Sequence, residues 1–427
     1  MSKKKLILIQ LNEINFNIFK EKLKGLTNFT KLTNLNKLKT FSEESYDLLE
    51  PWIQWVSVYT GKDAKNHKIF RLGDYSFDNK QIFKLLEEQN YKVGAICPMN
   101  AYNDLEDPKY FFPDPWSDTP SDGIKFYSKL YNTLSNLVNN NSQNKISYKS
   151  FLIFLFYLIY FMQFKNLTSY IKLLFGIVFL KKSWNKSLIL DLFLNDFHIY
   201  NLKKFNPDFS SIFFNAGAHI QHHYFLNMIG KSKLNPKWYI DSKKDPSQDL
   251  FKIYDKILEN HLALTDKYDL LVLTGLSQDP CYKPSIYYRL KDHKKFFNKF
   301  NIIFKEILPR MTRDFTMIFE NNQQAKSAEE KISKFLTSDG EKLFGTIDNR
   351  GNSLFITLTY SNEMQKGDKF FYHDKLIDIY DDFVFVAIKN GIHDQNGYLF
   401  TSMNIDQNED KIHIKESFNL IKNYFKI

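Results

Sequence analysis

The sequence predicts an α/β protein with a mostly parallel central sheet and covering helices. Three observations predict it. Runs at residues 5–11, 208–214 and 269–275 are mostly apolar, as in strands buried on both faces. Helical patterns separate them, and the spacing of strand, helix and strand suits a parallel sheet. Polar, chemistry-bearing residues follow directly where these runs end, the edge at which α/β proteins place their sites.

The first strand, residues 5–11, follows the basic start Met-Ser-Lys-Lys-Lys. That start resembles a signal peptide, but the apolar run is too short and meets Gln10 and Asn12, so it reads as strand 1 of a cytoplasmic protein. Residues 24–36 are polar with spaced leucines and predict short helices. Trp52 to Gly61 has helical spacing and a glycine stop. Gln81 to Gln89 is an amphipathic helix, and Tyr91 to Cys97 is the next strand. Pro108 to Gly123 is rich in Pro and Asp and predicts a loop.

Residues 124–204 predict a helical insertion. Its apolar runs, Phe151–Met162 and Ile171–Leu180, are 12 and 10 residues long. Both fall short of the roughly 20 residues of a membrane span. The readings are buried core helices or an interfacial hairpin over 146–182, lying against a surface. The core resumes at 208–214, followed by a helix at 247–264 and a strand at 269–275. Residues 313–360 alternate short strands with one helix, at 323–336, as a small α+β unit would. A strand at 381–389 and a helix at 415–425 close the chain. The domain expectation is core at 1–123, helical insertion at 124–204, core at 205–300, α+β subdomain at 301–375 and core at 376–427.

Length and composition are those of a large globular α/β chain: 427 residues, 43% hydrophobic and 25% charged. A net charge of +10 suits an anionic small molecule or glycan, or an anionic membrane surface. The lysines are dispersed and not interleaved with aromatics, which makes nucleic acid the least supported partner. Two cysteines, Cys97 and Cys281, without metal-like spacing, point to a reducing compartment. Walker, Rossmann, nucleophile-elbow and His-Glu-x-x-His motifs are absent from the sequence.

The densest chemical signal is Asn215-Ala-Gly-Ala-His-Ile-Gln-His-His223, directly after the strand Ser210–Phe214. Each imidazole brings a donor and an acceptor that need partners, so clustered histidines are poor core residues. His219 is the leading candidate, as metal ligand, general acid/base or phosphate donor, with His222 and His223 next. Polar groups also end other strands: Asn12-Glu13, Thr274 to Gln278, and His393 to Gly397. Converging at one sheet edge, they would make a single site. Glu13 is a ligand or general base there, or else a helix cap. Gln278 is a substrate hydrogen-bonder. Trp52, Trp55 and Tyr59 share a helical stripe that favours a core role, which leaves Gln54 to reach the site. Arg71 either binds phosphate bidentately or pairs with Asp74.

This order of motifs resembles the alkaline phosphatase superfamily, especially its type I phosphodiesterase and sulfatase branches. The likeness covers most of residues 5–110, 208–280 and 380–402. Thr60-Gly61 and His67-Lys68-Ile69 are similar to the tail of the family's nucleophile motif. Asn215 and His219 keep the spacing of its Asp and His, and His393 with Gly397 is similar to its last His. The resemblance implies metal positions at Asn12, Asn215 and His219, with Asn standing twice where the family has Asp. It places Glu50 beside the nucleophile position, which here is Pro51, and Glu50 could activate water or an acceptor hydroxyl. The Asp-His pair expected after Thr274 is missing. With anionic ligands lost, one divalent ion (zinc or manganese) or none is expected.

The functional expectation is a hydrolase or group transferase acting on a phosphate- or sulfate-containing substrate, such as a nucleotide- or lipid-linked sugar or a polysaccharide intermediate. The alternative is a catalytically inactive binding or scaffold protein of the same fold. The protein is expected in the cytoplasm, peripheral to the inner membrane face if residues 146–182 meet lipid.

Overall fold

A computed structural model describes residues 5–117, 119–141, 148–310, 312–405 and 410–427. Residues 1–4 of the basic start, and 146 and 147 of the proposed hairpin, lie outside them. The chain forms two compact units. The first comprises residues 1–137, 147–281 and 391–427; the second comprises 138–146 and 282–390.

The first unit holds an eight-stranded sheet. From one edge its strands are Lys411–His413, Asn36–Phe41, Asn396–Thr401, Asp269–Leu273, Leu6–Leu11, Phe209–Phe214, Val93–Ile96 and Tyr110–Phe112. Neighbours pair in parallel except at Asn396–Thr401, which is antiparallel to both Asn36–Phe41 and Asp269–Leu273. The α/β class read from the sequence is the class observed. The three central strands are buried almost throughout and are mostly apolar, with Gln10, Ser210 and Ser211 buried among the apolar side chains. Only Asn36 of the strand Asn36–Phe41 falls in the segment expected as short helices, and the edge strand Tyr110–Phe112 falls in the segment expected as a loop. The first alternates exposed lysines with buried Leu38 and Thr40, a pattern too short to separate from a polar helix.

The Pro51–Thr60 helix ends at Gly61, whose φ of 70° is the left-handed cap the glycine stop implied. Trp55 and Tyr59 are fully buried, as the stripe reading expected. The insertion contributes helices Lys125–Asn141, Tyr148–Phe161, Leu167–Val178 and Asn185–Phe205. Asp196, inside the last of these, pins the turn between the second and third. Its buried carboxylate accepts from Gln163 N and Nε2, Asn166 Nδ2, Tyr170 Oη and Asn195 Nδ2 at 2.6–3.1 Å.

A buried polar chain crosses this core with one consistent direction. His261 Nδ1 faces the carbonyl of Ile257 at 2.9 Å, and a carbonyl can only accept. His261 Nε2 is therefore the acceptor toward His198 Nδ1, 3.0 Å away. His198 Nε2 then accepts from Ser210 Oγ at 2.7 Å, and Ser210 Oγ accepts from Tyr110 Oη at 2.6 Å. Every member is satisfied with both rings neutral, and burial pushes both imidazole pKa values down, to about 4 at His261. These histidines are structural.

In the second unit a four-stranded antiparallel sheet, ordered Thr346–Asn349, Ser353–Thr357, Asp314–Ile318 and Glu306–Pro309, carries the helix Asn322–Ile332. A three-stranded sheet of Phe335–Thr337, Phe370–Tyr372 and Lys375–Ile377 completes it. The α+β region expected at 301–375 lies within this unit. The strand Thr346–Asn349 follows Leu343 and Phe344, which are turned into the unit's core.

Candidate functional site

Register explains why residues distant in sequence meet. Leu11 pairs with Phe214, and Gln10 pairs with Leu273. The three central strands thus end level, and Asn12-Glu13, Asn215 and Thr274 emerge side by side. The antiparallel strand Asn396–Thr401 begins at the edge where the parallel strands end, so His393 arrives at the same place. The Ala216–Met228 helix starts at that edge and carries the histidine cluster. The cluster therefore lies on a helix, not in a loop.

Glu13 sits at the centre. Its φ of 62° is left-handed, an unfavourable conformation for a residue with a side chain, and it turns the carboxylate off the strand into the site. The backbone is held by Glu13 N donating to Thr274 O at 2.9 Å and Asn12 N donating to Phe214 O at 3.1 Å. Oε1 accepts from Asn12 Nδ2 at 3.0 Å, and Oε2 accepts from Gln278 Nε2. Oε2 also lies 3.0 Å from His222 Nε2 and 3.4 Å from His393 Nε2, and the two imidazole nitrogens are 3.2 Å apart. Burial works against the carboxylate, but the facing imidazoles outweigh it and hold Glu13 well below its ordinary range.

Proton placement follows from the outer partners. His222 Nδ1 faces the carbonyl of Gly391 at 3.2 Å and must carry the hydrogen. His393 Nδ1 faces Glu50 Oε2 at 3.7 Å, a carboxylate that also favours N–H there. In the neutral rings both Nε2 atoms then present lone pairs to each other and to Glu13 Oε2. Three acceptors at 3.0–3.4 Å repel unless positive charge lies among them, either as ring protons, which hold Glu13 low, or as a metal ion. The edge of a tetrahedral face around an ion with bonds of about 2.0–2.1 Å is about 3.3 Å, close to the three separations found. Two imidazoles and one carboxylate, each imidazole backed by an oxygen acceptor, could hold a metal ion by donor type, spacing and support.

Gly391 makes this approach possible. A Cβ there would lie 2.4 Å from Gln278 Oε1 and 2.5 Å from the carbonyl of Gln221.

The start of the histidine helix is capped from elsewhere. Asp191 accepts from Asn215 N at 3.3 Å and Ala216 N at 2.8 Å, and Tyr254 Oη accepts from Gly217 N at 2.8 Å. Tyr254 also donates to Asp191 at 2.8 Å. These amides, which at a free helix start would suit a phosphate, are already spent. Burial lifts the Asp191 carboxyl to about 7. Its signal in the sequence was an acid inside the apolar run Leu188-Ile-Leu-Asp-Leu-Phe-Leu194.

Of the residues singled out in the sequence, Glu13, His222, His393, Gln278 and Glu50 are brought together. Asn12 and Asn215, implied as metal positions, are engaged otherwise. Asn12 Oδ1 accepts from Trp55 Nε1 at 2.8 Å, and Asn215 Oδ1 accepts from Asn12 Nδ2 at 2.9 Å. His219 is exposed and is not among the three donors; its ring centroid lies 4.8 Å from that of His223. Gln54 is buried and spends its amide on Leu48 O at 2.7 Å. Arg71 builds a turn through its carbonyl, which accepts from Asp74 N at 3.1 Å. Pro51 is the first residue of its helix, where its fixed φ is favourable. Ser57 and Thr60 donate to Ile53 O and Val56 O within that helix. Lys68, where the resembled pattern has glycine, holds a left-handed φ of 58°. A surface groove lined by Lys62, Lys68, Asp74 and Asn79 shares no residue with the triad.

No protein-family model and no curated protein matches the chain. Several solved structures are similar to it. Murine ectonucleotide pyrophosphatase/phosphodiesterase 5 shares 9% identity, covers 99% of this chain and 95% of its own, and has a TM-score of 0.40. Phosphonoacetate hydrolase from Sinorhizobium meliloti 1021 in complex with phosphonoformate shares 9%, with coverages of 99% and 96% and a TM-score of 0.43. The alkaline phosphatase of the Antarctic bacterium TAB5 shares 11%, with coverages of 99% and 98% and a TM-score of 0.39. Likeness this remote leaves the chemistry to the chain's own residues.

Proposed function

We propose that the Glu13–His222–His393 triad holds one divalent ion, zinc or manganese, and that the protein is a hydrolase or group transferase acting on phosphate or sulfate esters. The observation that carries this reading is the convergence of three lone-pair atoms at 3.0–3.4 Å. A divalent ion there supplies Lewis acidity toward an ester oxygen and a lowered pKa for water.

The chain's own groups fit the rest. Glu13 provides the one anionic donor, and Asn12 and Gln278 orient it. Glu50 orients His393 and is the second carboxylate of the site. Without a cation, Glu13 and Glu50 together repel an anionic ester; two positive charges balance them. Pro51 supplies no hydroxyl, and those of Ser57 and Thr60 are bonded within their own helix. Water, or an acceptor hydroxyl of a second substrate, is therefore the nucleophile.

The test is metal analysis of dialysed protein, combined with a screen of phosphomonoesters, phosphodiesters and sulfate esters on wild type and Glu13→Gln. About one equivalent of metal, with turnover lost in the variant, is expected. Metal retention without turnover of any ester would favour a binding protein, the reading that Pro51 also suits. No metal, and equal turnover by both proteins, would overturn the proposal.

A further inference from the structure

The helices Tyr148–Phe161 and Leu167–Val178 leave an apolar face uncovered. Among the described residues, 26 large hydrophobic side chains are exposed, and 14 of them lie between residues 148 and 180. Ile159 is 62% exposed, Phe164 86%, Val178 65% and Phe179 69%. A patch this concentrated marks an interaction surface.

The face is held rigidly. Tyr157, Phe161, Tyr170 and Leu173 turn inward and are buried. Asp196 fixes the turn through the five donors named above, and Tyr157 Oη donates to Phe126 O at 2.9 Å. The outer residues cannot roll into the core without breaking these bonds.

Charge identifies the occupant. From residue 123 to 190 the chain has no Asp or Glu, and it has lysines at 125, 129, 145, 149, 165, 172, 181, 182 and 186. These nine charges compare with a net +10 for the whole chain. The lysines are dispersed overall; the absence of acids is what is concentrated here. Lys149, Lys165, Lys172 and Lys181 are exposed around the apolar side chains. An apolar face ringed by cations complements an anionic lipid surface, with hydrocarbon beneath and phosphate at the rim.

Geometry sets the mode. The helices have 14 and 12 residues and meet at a bend of 116°. At about 1.5 Å per residue they reach roughly 21 and 18 Å, short of the ~30 Å hydrocarbon core. We propose that this bent helix pair docks in the plane of an anionic bilayer, with Phe164 and Phe179 entering the acyl boundary and the lysines meeting headgroup phosphates. Docking lies close in the chain to the histidine helix: Trp184 packs on Tyr224, centroids 5.4 Å apart, and Tyr224 follows His223.

The test is cosedimentation of the full chain with vesicles of phosphatidylcholine alone or mixed with phosphatidylglycerol, at low and high salt. Binding to the mixed vesicles that weakens with salt is expected. Ile159→Ser with Phe179→Ser should abolish it while the melting temperature holds, since both residues are already exposed. Lys172→Gln with Lys181→Gln leaves the apolar face untouched and should weaken binding about fivefold per lysine. Three results would overturn the proposal: wild type left in the supernatant with mixed vesicles, unchanged sedimentation of both variants, or a solution dimer that the Ile159/Phe179 variant dissociates, which would make a second copy the occupant.

Discussion

Glu13 Oε2 lies 3.4 Å from His393 Nε2, although the two residues stand near opposite ends of the chain. His222 Nε2 completes the group, 3.0 Å from the same oxygen. The two imidazoles are held by oxygen acceptors on their far nitrogens, so the near nitrogens are committed to the centre.

Glu13→Gln keeps the shape of the side chain and removes its charge. Removing the one anionic donor should lower divalent-metal affinity by at least the 10- to 100-fold typical of losing a supporting group. Titration calorimetry with zinc or manganese on the dialysed protein measures it, and affinity within a factor of three of wild type would count against the triad.

His222→Ala and His219→Ala separate two neighbours on one helix. The first removes a donor atom and should abolish metal retention. The second removes an exposed ring outside the triad and should leave metal content unchanged, with stability altered by no more than about 0.5 kcal/mol. Loss of metal in the His219 variant, with retention in the His222 variant, would reverse the assignment.

Gly391→Ala should be costly for a residue with no side chain. The new Cβ meets the Gln221 carbonyl at 2.5 Å and Gln278 Oε1 at 2.4 Å. The amide of Gln278 can move, but the carbonyl is helix backbone, so the strand must shift. Overpacking of this kind costs about 1–3 kcal/mol. Thermal melting should register it, and metal binding should fall as His222 loses its backbone acceptor. An unchanged melting temperature would show that the strand shifts freely.

Asp191 gives a pH dependence of known sign. Burial lifts its carboxyl from 3.8 to about 7. The native state thus holds this proton more tightly than the unfolded chain does. The stabilising contribution is fully present below about pH 4 and is lost as pH rises through about 7. Asp191→Asn should remove this component. The difference in unfolding free energy, variant minus wild type, should rise across that window by at most about 1.4 kcal/mol per pH unit. A flat difference in denaturant titrations between pH 4 and 7 would refute it.

The sequence by itself determined the elements that carry their own signal. Mostly apolar runs at Leu6–Leu11, Phe209–Phe214 and Asp269–Leu273 announce buried parallel strands, because a strand covered on both faces has no solvent side to fill with polar residues. The polar residues that follow them, Glu13 and the histidines of 219–223, mark the edge where chemistry belongs. The apolar helical insertion was legible in the same way. What the sequence could not decide was which polar atoms face one another. His219 and His222 stand three residues apart, nearly one helical turn, and only the packing of the Ala216–Met228 helix turns one outward and the other onto Glu13. Asn12 and Asn215 occupied the expected places, yet Trp55 Nε1 and their own mutual bond take their amide oxygens. His393 reached the triad because it lies just before the strand Asn396–Thr401, which runs against its neighbours and begins where they end. Those outcomes depend on register, strand direction and atomic distance, which are properties of the folded chain and leave no local pattern in the sequence.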